Sequence, residues 1–441
     1  MKRSTEPLQR SVAQYLETSP SLPMIARHYE KFFASVPELE YPAPGKAPPP
    51  LPPMDGCSPE QKRAICTALS APLSYITAPP GCGKTRMVLV RCVVSLLRGQ
   101  RRVLIATPTN SAVELALGAV LDALGPEAVA YASQRLGWCS PEFHQRYGQV
   151  CSQGTGQPAL VGTTLDTLVK LLPHLRCCGF SPNHIFLDEA AYAPLVKALP
   201  LLSFSGARLT LLGDHHQLPP VCTLLEKDLR SHQELQFWKR SAVELGSFFD
   251  ASSPSNRTEF FPHTQVCTLT RSYRYGTRLA QVLSPRIYNG KLVGAAPHGT
   301  QIEVIHVPSD PVHSGQRPQS SYGEALAVRE RIAPLEQGSF AVLTPYVKQK
   351  ALLRHVLSGA PSECVRTIHS VQGMKWETVV LSVADSPSPL LTDSDNLTFH
   401  ALELLNTAVS RAKKRLILVC DVERWLARPA QLLTELICLG M

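Results

Sequence analysis

The sequence predicts an α/β protein built on parallel sheets, and two observations carry that prediction. Short apolar runs rich in β-formers alternate with helical patterns, at Tyr75–Thr77, Val103–Thr107, Ala159–Gly162, Ile185–Leu187 and Leu209–Leu212, then Phe340–Leu343, Thr378–Val383 and Leu416–Cys420. Strands that alternate with helices build parallel sheets with helices on their faces. Secondly, the runs fall into two groups, separated by a polar stretch around Asp250–His263. Two stacked α/β domains are therefore expected, over 54–265 and 266–438, and 441 residues allow each its own core.

Ahead of these domains, residues 1–40 carry weakly amphipathic helical patterns, Ser11–Leu16 and Met24–Phe33. Tyr41 to Pro53 then holds seven prolines. Such a segment is stiff and extended, and it can form neither a helix nor a central strand. Residues 1–53 thus read as a helical segment followed by a linker.

Composition excludes several classes. With 44% hydrophobic and 18% charged residues the chain is ordinary and globular, not disordered. No apolar run reaches the length of a membrane span, and the first residues lack the apolar core of a secretory signal, so an intracellular protein, cytoplasmic or nuclear, is expected. Thirteen cysteines are scattered without a Cys-x-x-Cys pair, which argues for reduced thiols over a zinc cluster or disulfide scaffold. The net charge of +9 leans toward a polyanionic partner, although many plain enzymes carry as much.

The first functional signal lies in Tyr75-Ile-Thr-Ala-Pro-Pro-Gly-Cys-Gly-Lys-Thr85, an apolar strand running into a glycine-bearing loop and then a buried helix. This reads as a phosphate-binding loop, with Ala78 where the usual pattern has its first glycine. Across Pro80, Gly81, Cys82 and Gly83 the backbone can wrap closely around phosphate oxygens, and the following helix aims its positive end at them. Lys84 would reach the outer phosphates, and the Thr85 hydroxyl would complete the shell of a Mg2+ ion. ATP and Mg2+ are the expected ligands.

A second signal is His184-Ile-Phe-Leu-Asp188-Glu189-Ala-Ala191, a buried strand that delivers two adjacent carboxylates to its C-terminal end. Asp188 would hold the Mg2+ ion, and Glu189 would orient and deprotonate an attacking water. An Asp-Glu pair after a strand is elsewhere a solvated turn or helix cap; its position after a phosphate loop favours chemistry. Next comes Leu211-Leu-Gly-Asp214-His-His-Gln217, again a strand emptying into a polar loop. Gln217 is suited to touching a γ-phosphate and reporting its loss. His215 and His216 invite a metal reading, but adjacent histidines point in different directions and lack partner ligands.

At this point the chain resembles the superfamily 1 helicases, of the class that holds the nonsense-mediated-decay RNA helicase and the nidovirus helicases. The resemblance covers roughly residues 58–425, with motifs in the family's order. Gln61, in Ser58-Pro-Glu-Gln61-Lys, matches the glutamine that reads adenine. Pro108, Thr109 and Asn110 lie in one nucleic-acid-touching segment, Thr163 and Thr164 in a second, and Thr344, Pro345 and Tyr346 in another. Thr270-Arg-Ser-Tyr273-Arg274 resembles the Gln-Tyr-Arg motif, and Ile287-Tyr288-Asn-Gly290 the Phe-Tyr-x-Gly motif. Thr367-Ile-His-Ser-Val-Gln372-Gly373 and Asn406-Thr-Ala-Val-Ser410-Arg411-Ala-Lys413 match the last two.

The resemblance implies two RecA-like domains sandwiching one nucleotide, with single-stranded RNA or DNA crossing both, and the chain working as a monomer. It implies that Arg274 and Arg411 stabilise the charge that gathers on transferring phosphoryl oxygens. The stretch from Arg274 to Gln372 leaves no room for the large inserted subdomain of the 3′-to-5′ branch, so the resemblance implies 5′-to-3′ movement. Two departures stand out: Lys375 where the family commonly has a glutamate, and Tyr192 where it often has glutamine. An NTP-driven helicase or translocase is the leading reading. A clamp that uses NTP only as a switch is the alternative. A small-molecule kinase would share the phosphate loop and explain none of the later motifs.

Overall fold

The computed structural model describes residues 1–18, 24–152, 157–222, 233–249, 261, 263–309, 319–359, 361–371, 373–384, 390–393 and 400–441; Gln372 and most of Asp250–His263 lie outside them. The chain divides into two compact units. The first comprises Met1–Ala78, Gly83–His215 and Pro219–Leu269, and the second Pro79–Cys82, His216–Leu218 and Thr270–Met441.

In the first unit, β1 (Lys2–Ser4) pairs antiparallel with β2 (Glu38–Glu40). The main sheet is built from β3 (Leu73–Thr77), β4 (Val103–Thr107), β5 (Ser133–Arg135), β6 (Leu160–Thr164), β7 (His184–Leu187), β8 (Arg208–Gly213) and β9 (Gln265–Thr268). Its order is β5-β6-β4-β7-β8-β3-β9, and every pairing is parallel. Five of these strands are buried along their whole length. That explains their unbroken apolar runs: helices cover both faces, so neither face selects for polar side chains. Each of the eight runs read from the sequence overlaps a strand of the main sheets.

Helices Glu6–Thr18 and Met24–Ser35 are part of this unit's core. Leu8, Val12, Tyr29 and Phe33 are fully buried in one cluster with Leu104, Ile185 and Leu209 of the sheet. The Tyr15 ring stacks on Trp238 at 4.0 Å, and the Tyr29 hydroxyl donates to Asp166 at 3.1 Å. The proline-rich segment is fastened too. Arg208 Nη2 donates to the Lys46 carbonyl at 2.9 Å, Ser95 Oγ to that of Pro50 at 3.1 Å, and Arg91 to those of Pro53 and Asp55 at 2.6 and 2.8 Å. Prolines offer no N–H, so neighbouring side chains bind the segment through its carbonyls.

Removing the Phe33 ring should therefore unsettle the first unit. Phe33→Ala is expected to lower stability by about 3–5 kcal/mol, the cost of a large core cavity. Urea unfolding followed by tryptophan fluorescence measures it. A loss below about 1 kcal/mol, the scale of an ordinary surface change, would mean the N-terminal helices dock only loosely.

The second unit opens with a short parallel pair, β10 (Arg271–Ser272) and β11 (Val293–Gly294). Its sheet holds β12 (Gln301–His306), β13 (Phe340–Thr344), β14 (Val365–Thr367), β15 (Trp376–Ser382) and β16 (Ala412–Cys420), in the parallel order β12-β16-β15-β13-β14. Val342, Val380, Ile417 and Val419 pack with Ala325, Val328 and Ile332 of helix Tyr322–Ile332 and with Leu353 of helix Val347–Val356. The fold is α/β, with large parallel sheets flanked by helices, as the sequence predicts.

Candidate nucleotide site

The phosphate loop leaves the end of β3, and helix Pro59–Ser70 braces it from one side. Ser58 and Gln61 form a reciprocal capping box: Gln61 N donates to Ser58 Oγ at 3.2 Å and Ser58 N to Gln61 Oε1 at 3.0 Å. That bond fixes the amide so that its Nε2 lies over the loop. Gly83 has φ +87°, and a Cβ there would meet Gln61 Nε2 at 2.7 Å and Met87 Cγ at 2.9 Å. Only glycine fits both the conformation and the space. The helix that follows starts as a π-helical turn, Lys84–Leu89, before it becomes α-helical at Val90–Arg98.

The two carboxylates arrive from β7, separated from β3 by β8. Lys84 Nζ lies 3.0 Å from Asp188 Oδ1 and 3.3 Å from Glu189 Oε1. Thr85 Oγ1 donates to Asp188 Oδ2 at 3.0 Å. Glu189 has φ +55°, left-handed for a side chain that resists it, and its own N–H donates to Asp188 Oδ1 at 2.9 Å. This turn aims both carboxylates at one lysine. Burial opposes the Lys84 charge, but the Asp188 and Glu189 carboxylates outweigh it and hold its pKa above the usual lysine value.

This donor set fits a magnesium nucleotide. The Thr85 hydroxyl and the Asp188 carboxylate are hard oxygen donors, which Mg2+ requires. Gly83 keeps open a cradle that a Cβ would fill. His215 is engaged elsewhere, with Nδ1 at 3.2 Å from both the Tyr75 and Thr77 hydroxyls. Among the described residues no group of three or more His, Cys, Asp or Glu could hold a metal ion.

A second constellation forms within the second unit. Arg411, only 3% exposed, donates from Nη2 to Gln217 Oε1 at 2.7 Å, from Nε to the Thr407 carbonyl at 3.1 Å, and from Nη1 to the carbonyls of Val371 and Met374. Arg274 Nη1 donates to the Ser410 carbonyl, which brings Arg274 against the last turn of helix Ala401–Arg411, the turn that carries Arg411. Pro80 and Gly81 are gripped by the same motif that carries Arg274: Ser272 Oγ donates to the Pro80 carbonyl at 2.7 Å and Tyr273 N to that of Gly81 at 3.0 Å. Gly81 is left-handed, and Cys82 beside it is buried.

Two family profiles, each described as an AAA domain, match the chain, over residues 61–223 and 325–423. The regulator of nonsense transcripts 1 of Dictyostelium discoideum is 25% identical over 81% of this chain, and the DNA replication ATP-dependent helicase/nuclease JHS1 of Arabidopsis thaliana 24% identical over 82%. The chain carries two AAA domains and is similar to ATP-dependent helicases. It spans 30% and 28% of those two relatives' lengths. A solved arterivirus nonstructural protein 10 (helicase) with DNA is similar at 19% identity and a TM-score of 0.46, over 85% of this chain and 65% of that one.

The residues proposed from sequence divide between the two units. Gln61, Gly83, Lys84, Thr85, Asp188 and Glu189 lie in the first unit, and Pro80, Gly81, Cys82, Gln217, Arg274, Gly373 and Arg411 in the second. The expected strand-contacting residues stand at or just beyond the C-terminal ends of strands, and two of their side chains cap helices. Thr109 accepts from Ala112 N and caps helix Asn110–Leu124; Thr164 accepts from Thr167 N and caps helix Leu165–Cys177. Asn110 Oδ1 accepts from Arg135 at 2.7 Å, and Pro108 beside it is half-buried. Thr163, Thr344, Pro345 and Tyr346 are buried, and Tyr346 precedes helix Val347–Val356. Ser58, Ser272, Asn406 and Thr407 were not singled out from sequence. Only Ser58 had a readable signal, the Ser-x-x-Gln spacing of a capping box.

Proposed function

We propose that this chain is an ATP-dependent helicase or translocase that acts on single-stranded nucleic acid and moves 5′-to-3′. The observation that carries the reading is the convergence of Lys84, Thr85, Asp188 and Glu189 within 3.3 Å contacts at the end of β7. Lys84 would bind the outer phosphates of ATP, and Gln61 and Gly373 its base and ribose side. Thr85 and Asp188 would hold Mg2+, which when bound neutralises phosphate charge. Glu189 orients the attacking water and takes its proton. Gln217 touches the γ-phosphate, while the guanidinium forks of Arg274 and Arg411 stabilise negative charge on its oxygens.

The strand-contact residues are proposed to act mainly through backbone. Thr109, Thr164 and Tyr346 stand at the starts of three helices, whose first N–H groups suit phosphate oxygens. Contacts of that kind ignore sequence and depend on salt. Apparent affinity for a single strand should fall about tenfold or more between 50 and 200 mM salt, as counterion release requires. Fluorescence anisotropy with homopolymer and mixed strands measures this. A preference between them above about tenfold, or ~1.4 kcal/mol, would mean that sequence is being read.

One observation favours a second reading, a nucleic-acid clamp that hydrolyses or exchanges NTP only as a switch: Lys375 stands where the family commonly has a carboxylate. Steady-state ATP hydrolysis with and without single-stranded RNA and DNA of equal length, followed by displacement of duplexes with a 5′ or a 3′ overhang, separates the two. Stimulated hydrolysis with displacement of the 5′-overhang duplex supports the motor. Stimulated hydrolysis without displacement of either supports the clamp.

A further inference from the structure

We infer that Asn406 is a positioning residue that holds Gln217 in register for the γ-phosphate; this rests on the role proposed for Gln217. Gln217 sits on the short segment His216–Leu218, which has no regular secondary structure to fix it. Helix Ala401–Arg411 grips that segment at three successive residues. Asn406 Nδ2 donates to the His216 carbonyl at 2.8 Å, Arg411 Nη2 donates to Gln217 Oε1 at 2.7 Å, and Leu218 N donates to Thr407 Oγ1 at 3.2 Å. Asn406 and Thr407 are both 0% exposed.

The chemistry of the amide makes asparagine specific here. Its Nδ2 also donates to the Tyr288 hydroxyl at 2.8 Å, while Oδ1 is buried without a partner. A buried unpaired acceptor is costly, so the residue is held by what Nδ2 does. The His216 carbonyl can only accept, which fixes the amide with its nitrogen toward the segment. Aspartate has nearly the same shape but would set a carboxylate oxygen against that carbonyl. The His216 ring meets the Tyr288 ring edge-on at 5.1 Å, so Tyr288 steadies the segment from a second direction. Asn406 acts through the segment that carries Gln217.

The test is a mutant cycle on the full chain, measured as ATP turnover stimulated by single-stranded nucleic acid. Asn406→Ala and Asn406→Asp should each lower kcat about tenfold or more while KM for ATP moves within about twofold. Gln217→Ala should do the same, and the double variant Asn406→Ala/Gln217→Ala should be no slower than Gln217→Ala alone, since coupled sites are non-additive. Thr407→Val, nearly isosteric, reads the other flank should the Asn406 variants fail to fold, and a fall in kcat there supports the inference. Native-like turnover in Asn406→Asp with a slow Gln217→Ala overturns the positioning role and leaves the role of Gln217 standing. So do losses that multiply in the double variant. Native-like turnover in Gln217→Ala overturns the role of Gln217 and this inference with it.

Discussion

Glu189→Gln is expected to bind ATP and Mg2+ with near-native affinity and to hydrolyse about 10²–10⁴-fold more slowly, the range a positioned general base contributes. Glutamine keeps the length and an oxygen for Lys84, now 3.3 Å from Glu189 Oε1, but it cannot take a proton from water. Lys84 retains Asp188 at 3.0 Å, so the site keeps its lysine charged and in place. Lys84→Ala differs: it leaves the buried Asp188 and half-buried Glu189 carboxylates without their shared cation and removes the cation for the outer phosphates, so nucleotide binding itself should fail. Single-turnover hydrolysis together with fluorescent-nucleotide binding resolves the two. An unchanged kcat in Glu189→Gln removes that residue from the role of base.

Arg411→Ala is expected to leave ATP affinity within a few-fold while stimulated turnover falls by about 10³ or more, the contribution of an arginine to phosphoryl transfer. Displacement of a 5′-overhang duplex should be lost with it. The side chain is a hub: beyond Gln217 it satisfies the Val371 and Met374 carbonyls, and alanine would strip all three at once. Arg411→Lys separates charge from geometry, since an ammonium keeps the charge but not the planar fork. A lysine variant as slow as alanine points to the fork. Normal hydrolysis in Arg411→Ala would sink the arginine's catalytic role, whereas normal hydrolysis in Arg411→Lys alone would mean that the charge suffices.

Much of this was readable in the sequence because it is local. Fully buried strands announce themselves as apolar runs, and the loop Pro80–Thr85 and the pair Asp188-Glu189 follow such runs directly. Their convergence on Lys84 needed only the rule that ligands gather at strand ends. The threonines show where local reading stops. Thr109 and Thr164 carry motif identity, yet the hydroxyls cap helices, a use fixed by the backbone turn after each strand. Asn406 was visible only as a motif letter. Its partners His216 and Tyr288 are far off in sequence, and only the tertiary fold brings them to 2.8 Å. The burial of Leu8, Tyr29 and Phe33 was hidden likewise, because a weak amphipathic pattern does not say what it packs against.

The seven prolines between Tyr41 and Pro53 have an effect that no contact distance records. Ordering a residue's backbone costs about 1–2 kcal/mol of entropy, and a proline, with φ already fixed, loses less. The segment is therefore nearly as extended in the unfolded chain as it is when the carbonyls of Lys46, Pro50 and Pro53 are bound. Glycine at these positions would keep every one of those hydrogen bonds and still loosen the segment, by enlarging the set of shapes it must give up. The N-terminal helices are thus tethered by the narrowness of the unfolded ensemble as much as by the bonds that hold the segment down.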